Sequence, residues 1–166
     1  MSSELTVRRA TTRDVGAIRA LVDQYAGKVL LVKETVTLYE DVQEFWVAVD
    51  DDKIVGCGAL HILWEDLGEI RTVAVDREAK RRGIGGLIVN RLIEHGRELG
   101  IERIFVLTFE TSFFARHGFQ EIEGTPVTPE VYGEMRRSYD RGIAEFLDLE
   151  YVKPNTLGNT RMLLTL

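Results

Sequence analysis

One stretch constrains this chain more than any other: Gly68–Leu99, GEIRTVAV-DREAKRRGIGG-LIVNRLIEHGREL. Glu69–Val75 is an apolar, β-branched run, and Ile84, Leu87, Ile88 and Leu92 recur at helical spacing, so the stretch reads as strand, turn and helix. The turn, Arg81-Arg82-Gly83-Ile84-Gly85-Gly86, is glycine-rich and basic. Glycine lets backbone N–H groups approach a ligand with no Cβ in the way, and the start of a helix adds positive potential. Two arginines beside such amides make a cradle for an anion, a phosphate ester above all. An ordinary strand–helix connection is the competing reading. A dinucleotide fingerprint is excluded, because G-x-G-x-x-G needs a small residue where Ile88 stands, and a Walker loop is excluded because no Gly-Lys-Ser/Thr follows.

Composition explains why that basic turn stands out. The 166 residues are 45% hydrophobic and 29% charged, which predicts one domain over 1–166 with a core of its own. A net charge of −6 argues against nucleic acid or an anionic membrane as partner, so the cradle calls for a local, small anion. Cys57 is the only cysteine, so no internal disulfide can form and a reducing cytoplasm fits. No signal-peptide pattern and no membrane-spanning apolar run are present, and a soluble cytoplasmic protein is expected.

Around the central stretch, Leu5–Val7 reads as a first strand. Thr11-x-x-Asp14 then forms a capping-box pattern that opens a helix with Val15, Ile18, Leu21, Val22 and Tyr25 on one face, ended by Gly27. Lys28–Lys33 is an apolar run between two lysines, and Thr37–Gln43 a second short helix. Phe45–Val49 and Ile54–Leu63 read as strands joined by a polar turn at Asp50–Lys53. Gly100 stops the central helix; Ile104–Thr108 is a buried strand, Thr111–His117 a short helix and Phe119–Ile122 a further strand. Thr128-Pro129-Glu130 is a helix start, Asn155–Asn159 a turn and Met162–Leu166 a closing strand.

The strand ending Val73-Ala74-Val75, followed by Lys80-Arg81-Arg82-Gly83-Ile84-Gly85, resembles motif A of the GNAT acyltransferase family, V-x-V then Q/R-x-x-G-x-G/A, with Lys80 where the family usually has Gln or Arg. The resemblance runs over nearly the whole chain. In GCGALHIL, LGEIRTVAV, IFVLT and FFARHGF the chain resembles the acetyltransferase domain of bacterial N-acetylglutamate synthases, and in particular their short form without an amino-acid-kinase domain. It implies an α/β (α+β) fold, a GNAT-like mixed twisted sheet of about six or seven strands with helices on both faces. It also implies acetyl-CoA as co-substrate, and N-acetylation of L-glutamate by direct transfer as the first step of arginine biosynthesis. L-glutamine is the nearest alternative acceptor, a protein or peptide N-acetyltransferase a different enzyme, and an acyl-CoA-binding regulatory module the non-enzymatic reading.

The resemblance assigns roles residue by residue. The amides of the turn, with Arg81, Arg82, Gly83, Ile84, Gly85 and Gly86, are expected at the pyrophosphate, and Val73, Ala74 and Val75 along the pantetheine arm. An ammonium must lose a proton before it attacks a thioester, and Glu69 stands at the base position; its alternatives are a solvated glutamate or a partner for Arg71. Period-two alternation puts Glu69, Arg71 and Val73 on one face, where Arg71 either holds a substrate carboxylate or pairs with Glu69. A backbone N–H near Val73 is the expected donor to the carbonyl oxygen. Where many relatives place a tyrosine acid this chain has Phe114, which leaves Thr108 or Ser112 as the hydroxyl beside the leaving thiolate. Lys33, Arg71, Thr72, Asn159 and Thr160 are the candidate acceptor contacts. Gly158 stands where long-form enzymes carry an arginine, so Lys153 or Arg161 would have to compensate. Surface solvation is the alternative for each of these cations. His61, His95 and His117 lack metal-ligand spacing, so no metal site is expected, and Cys57 reads as a small core residue. Val127–Val152 is expected to cover the acceptor cleft or a homodimer interface, and Glu145–Leu149 has no clear period.

Overall fold

The computed structural model describes residues 4–25, 34–80, 82–152, 156 and 158–166. Gly27, the Lys28–Lys33 run, Arg81 and Lys153 lie outside them, as does part of the Asn155–Asn159 turn. Strands β1 (Leu5–Arg9), β2 (Phe45–Asp50), β3 (Lys53–Trp64), β4 (Leu67–Val75), β5 (Arg103–Thr108), β6 (Gln120–Glu121) and β7 (Thr160–Thr165) form one sheet. Its order is β1-β2-β3-β4-β5-β7-β6, a seven-stranded mixed sheet as expected. Only β4 and β5 run parallel, joined by the crossover helix α3 (Ile84–Leu99). The remaining helices are α1 (Val15–Asp23), α2 (Thr35–Glu40), α4 (Thr111–Arg116), α5 (Pro129–Met135) and α6 (Arg141–Phe146).

The helix and turn signals act through identifiable bonds. The Thr11 N–H donates to Asp14 at 2.7 Å, and Arg8 reaches the same carboxylate, which it holds down at about 2. Asp51 and Asp52 both take positive φ, as a two-residue hairpin turn requires. Thr128 caps α5 by accepting from the Val131 N–H. The second expected helix, Thr37–Gln43, starts earlier at Thr35, and the Phe119–Ile122 strand contracts to two residues. Helix α6 carries no sequence signal beyond its cap, because six residues are too few to display a period of 3.6.

Three apolar clusters use the two faces of the sheet. One face packs on α3, with Leu60, Ile70, Ile104 and Val106 against Ile84, Ile88 and Leu92. The opposite face is divided. Ala59, Cys57 and Ala74 pack beneath α1 and α2, while Leu63, Leu67 and Phe105 pack beneath α5 and α6. Alternation along β3 places His61 between Ala59 and Leu63, and alternation along β4 places Glu69 and Arg71 just past Leu67. A polar seam therefore crosses this face between two dry clusters.

Two irregularities shape the seam. Cys57 pairs with Ala74 but Ala59 pairs with Arg71, so Thr72 and Val73 together oppose Gly58 in a bulge. Thr72 sits at φ 57°, a left-handed conformation that a β-branched residue rarely adopts. The bulge resets the alternation. Val73 turns to the α3 face, where a Cβ on Gly58 would stand 3.3 Å from it, and no longer shares a face with Glu69 and Arg71 as simple period-two counting has it. Second, β4 and β5 pair only over Leu67–Glu69 with Arg103–Phe105, so the strands open into a wedge whose apex is Glu69.

Candidate active site

At the apex, Glu69 is 5% exposed and hydrogen-bonded to the Arg71 guanidinium. Arg71 Nη2 also lies 2.9 Å from Asp140 Oδ1, so one guanidinium serves two carboxylates. Burial pushes the Glu69 carboxyl up, against the pull of Arg71. Asp140 is partly desolvated too, but Arg71 wins there and holds it below the usual range. The two carboxylates together raise the Arg71 pKa despite its burial. Asp140 is the cap of α6 and accepts from the Ile143 N–H at 3.0 Å. Gly142 follows, and a Cβ there would lie 2.4 Å from the Arg71 guanidinium carbon, so any larger residue at this point would push the guanidinium from its place beside the helix.

Across the ladder, His61 is the direct partner of Glu69, and its Nδ1 lies 2.6 Å from Glu44 Oε1. Neither Asp140 nor the His61–Glu44 pair was singled out as a site residue from the sequence. The N-cap pattern Asp140-x-x-Ile143 was the available signal for the first; the second depends on strand register, which local patterns do not reveal.

Along the wedge, Thr108 ends β5, three residues past the partner of Glu69 and so about 10 Å along the strand. It is buried; its Oγ1 accepts from the Glu110 N–H at 2.8 Å, and Thr160 faces it on β7. Ser112 lies exposed on α4. Thr72 is the buried bulge residue. Phe114 is buried against Phe113 and Phe119 and supplies no hydroxyl. The Asn159 side-chain oxygen is buried and makes no hydrogen bond among the described residues. Arg161, considered for the compensating role, has its guanidinium bonded to the carbonyls of Gly124, Glu145 and Phe146.

Beyond the far end of β4, Gly83 has a φ of 73°, which puts the α3 cap in the left-handed region that glycine adopts freely. Ile84 is buried in the core, so only its backbone faces the turn's ligand side, while Gly85 and Gly86 open the first turn of α3. Arg82 stands half-exposed beside Asp50 at 2.5 Å. Cys57 is fully buried and its thiol is pushed up to about 12 by burial, which rules out a thiolate nucleophile at neutral pH. Among the described residues no group of three His, Cys, Asp or Glu side chains is placed to hold a metal, and no helix is long and apolar enough to cross a membrane.

The profile of the Acetyltransferase (GNAT) family matches residues 17–120, more than half of the chain. An amino-acid acetyltransferase of Mycobacterium tuberculosis is 69% identical over 163 residues, covering 96% of this chain and 94% of that protein. The crystal structure of Rv2747 from Mycobacterium tuberculosis, in complex with CoA and NLQ, superposes with a TM-score of 0.95 at 69% identity, over 97% of this chain and 99% of that one. N-acetylglutamate synthase from Neisseria gonorrhoeae shares the fold, with a TM-score of 0.77 at 24% identity over 100% of this chain and 36% of its own.

Proposed function

The chain belongs to the GNAT acetyltransferase family, and from that premise we propose that it transfers the acetyl group of acetyl-CoA directly to the α-amino group of L-glutamate. The observation that carries this reading is a buried carboxylate at the apex of a wedge whose other end is a glycine-lined helix start. The amides at 82–86, with Arg81 and Arg82, hold the pyrophosphate. The edge of β4 from Val73 to Val75 guides the pantetheine arm, and the thioester arrives beside Glu69. Glu69 takes the ammonium proton, and the neutral amine attacks the carbonyl carbon. Thr108, whose oxygen already accepts a hydrogen bond, keeps its own O–H to offer the leaving sulfur. A thiol of pKa near ~8.5 needs little help to leave. Thr72, Asn159 and Thr160 line the acceptor side, Arg71 fixes Glu69, and Lys33 is the proposed cation for an acceptor carboxylate.

The experiment is an acceptor screen with purified protein and acetyl-CoA, following free thiol. Glutamate is expected to give the highest kcat/KM, and absence of turnover with any amino acid overturns the reading. One observation favours glutamine as the second acceptor. Arg71 and Arg161 are both committed to internal partners, which leaves fewer cations for a second carboxylate among the described residues.

The cradle is tested separately. A Cβ on Gly85 would meet the Phe113 ring at an ordinary 3.5 Å, so Gly85→Val is expected to fold. Its branched side chain would fill the cradle and remove at least one charge-assisted hydrogen bond, worth roughly 1.5–3 kcal/mol. Calorimetry should therefore show acetyl-CoA binding weakened by about tenfold or more; an unchanged Kd in the folded variant removes the pyrophosphate from this turn.

A further inference from the structure

Amide formation from an ammonium and a thioester releases one proton: R–NH3⁺ plus acetyl–S–R′ gives R–NH–acetyl, HS–R′ and H⁺. If Glu69 accepts that proton, as the proposed function requires, it must pass it on before the next turnover. Glu69 is 5% exposed, so direct return to water is obstructed. The groups around it differ in what they can do. Arg71 already carries its full complement of protons, and Arg161 on β7 only adds positive charge nearby. Asp140, at the start of α6, lies on the far side of Arg71 and is held in its ionised form by it. Of these neighbours His61 offers an imidazole nitrogen that can accept a proton. It stands opposite Glu69 in the β3–β4 ladder, on the same face, where Cβ atoms of paired residues come within about 5 Å. Glu44, just before β2, fixes its Nδ1 at 2.6 Å, and the side chain is 18% exposed, so it borders both the seam and solvent. A carboxylate that accepts from Nδ1–H leaves Nε2 as the nitrogen with a lone pair.

We propose that the His61–Glu44 pair is the proton outlet of the site: His61 receives the proton that Glu69 has taken from the acceptor, the Glu44 carboxylate stabilises the imidazolium formed, and the proton leaves from its exposed edge. The step breaks the O–H bond of the Glu69 carboxylic acid and forms an N–H bond on His61, which regenerates the Glu69 carboxylate. His61 is in this sense a positioning residue, acting through Glu69 without touching the acceptor.

The test uses the full chain with acetyl-CoA and glutamate or glutamine. His61→Gln is expected to lower kcat at pH 7 by about 10²-fold, with KM for both substrates little changed. His61→Ala should recover rate in proportion to added imidazole, a response that a purely structural histidine would not give. Glu44→Gln removes the charge that favours the imidazolium, so the acid limb of the pH–rate profile should move to lower pH. Full kcat in folded His61→Gln overturns the outlet, as does a folded His61→Ala whose lost rate imidazole does not restore. Should both His61 variants fail to fold, an unshifted acid limb in Glu44→Gln overturns it. Wild-type turnover separates the two readings: an active wild type with an unaffected His61→Gln removes only the outlet, while a wild type inactive on every amino acid removes the proposed function and the outlet with it.

Discussion

Replacing Glu69 by Gln is expected to cut kcat at pH 7 by about 10²–10⁴, the usual range for a positioned proton acceptor. The substitution keeps size and an oxygen for Arg71, so the ion-pair framework with Asp140 should survive, and acetyl-CoA binding at the far end of β4 should hardly change. What is lost is the ability to take a proton. The acceptor's amine is mostly protonated at neutral pH, and only its neutral form attacks. Burial pushes the Glu69 carboxyl up, which makes it a stronger base than a solvated glutamate. Raising the pH deprotonates the amine in bulk solution, so the deficit of the variant should shrink toward alkaline buffer. Rate measurements on both proteins from neutral to alkaline pH decide the matter. Little loss at pH 7 places the base elsewhere; an equal loss at every pH makes Glu69 a positioning group for the acceptor.

What could be read from the sequence divides along physical lines. The β4–turn–α3 unit was legible because everything that specifies it is local: a β-branched run, glycines at the turn and an apolar stripe along Ile84, Ile88 and Leu92. Glu69 and Arg71 were legible as neighbours because two residues apart on a strand share a face. Val73 was misplaced by the same rule, since a bulge depends on the partner strand, here on Gly58 opposing two residues at once. The third member of the ion-pair cluster, Asp140, is far from Arg71 in sequence, and its helix is too short to announce itself. His61 entered the seam through register with Glu69, a pairing between two strands that no single stretch encodes. The resemblance supplied the family and the candidate base; it did not supply the ion-pair cluster.

That cluster leads to the largest stability effect expected of any single change. Arg71→Met should destabilise the protein by about 3–5 kcal/mol, because removing one member of a buried ionic group leaves the others uncompensated. Arg71 is only 11% exposed at its side chain, and it separates Glu69, on the central strand, from Asp140, at the cap of α6. Without it the buried carboxylate of Glu69 and the partly buried one of Asp140 lose their shared cation. For a chain of this size each kcal/mol moves Tm by roughly 2–4 °C, so a fall of about 6–20 °C is expected at pH 7. The pH dependence has a definite sign. In the wild type the folded pKa of Asp140 is depressed, so its contribution is present above the ordinary carboxylate range and is lost as pH falls through that depressed value. In the variant the two carboxylates, no longer held by a cation, should both protonate more readily when folded than when unfolded, which relieves the repulsion in acid. The difference in Tm between the two proteins should therefore be widest near neutrality and narrow below about pH 5. Adding Glu69→Gln and Asp140→Asn to Arg71→Met should return much of the lost stability, since a neutral cluster has no charge left to compensate, and the three changes should be far from additive. Thermal melts of the single and triple variants at neutral and acid pH are the measurement. A Tm within about 2 °C of wild type at pH 7, or a deficit that is the same at both pH values, would mean that α6 is held by its apolar contacts through Ile143 and Phe146 and not by the ion pair.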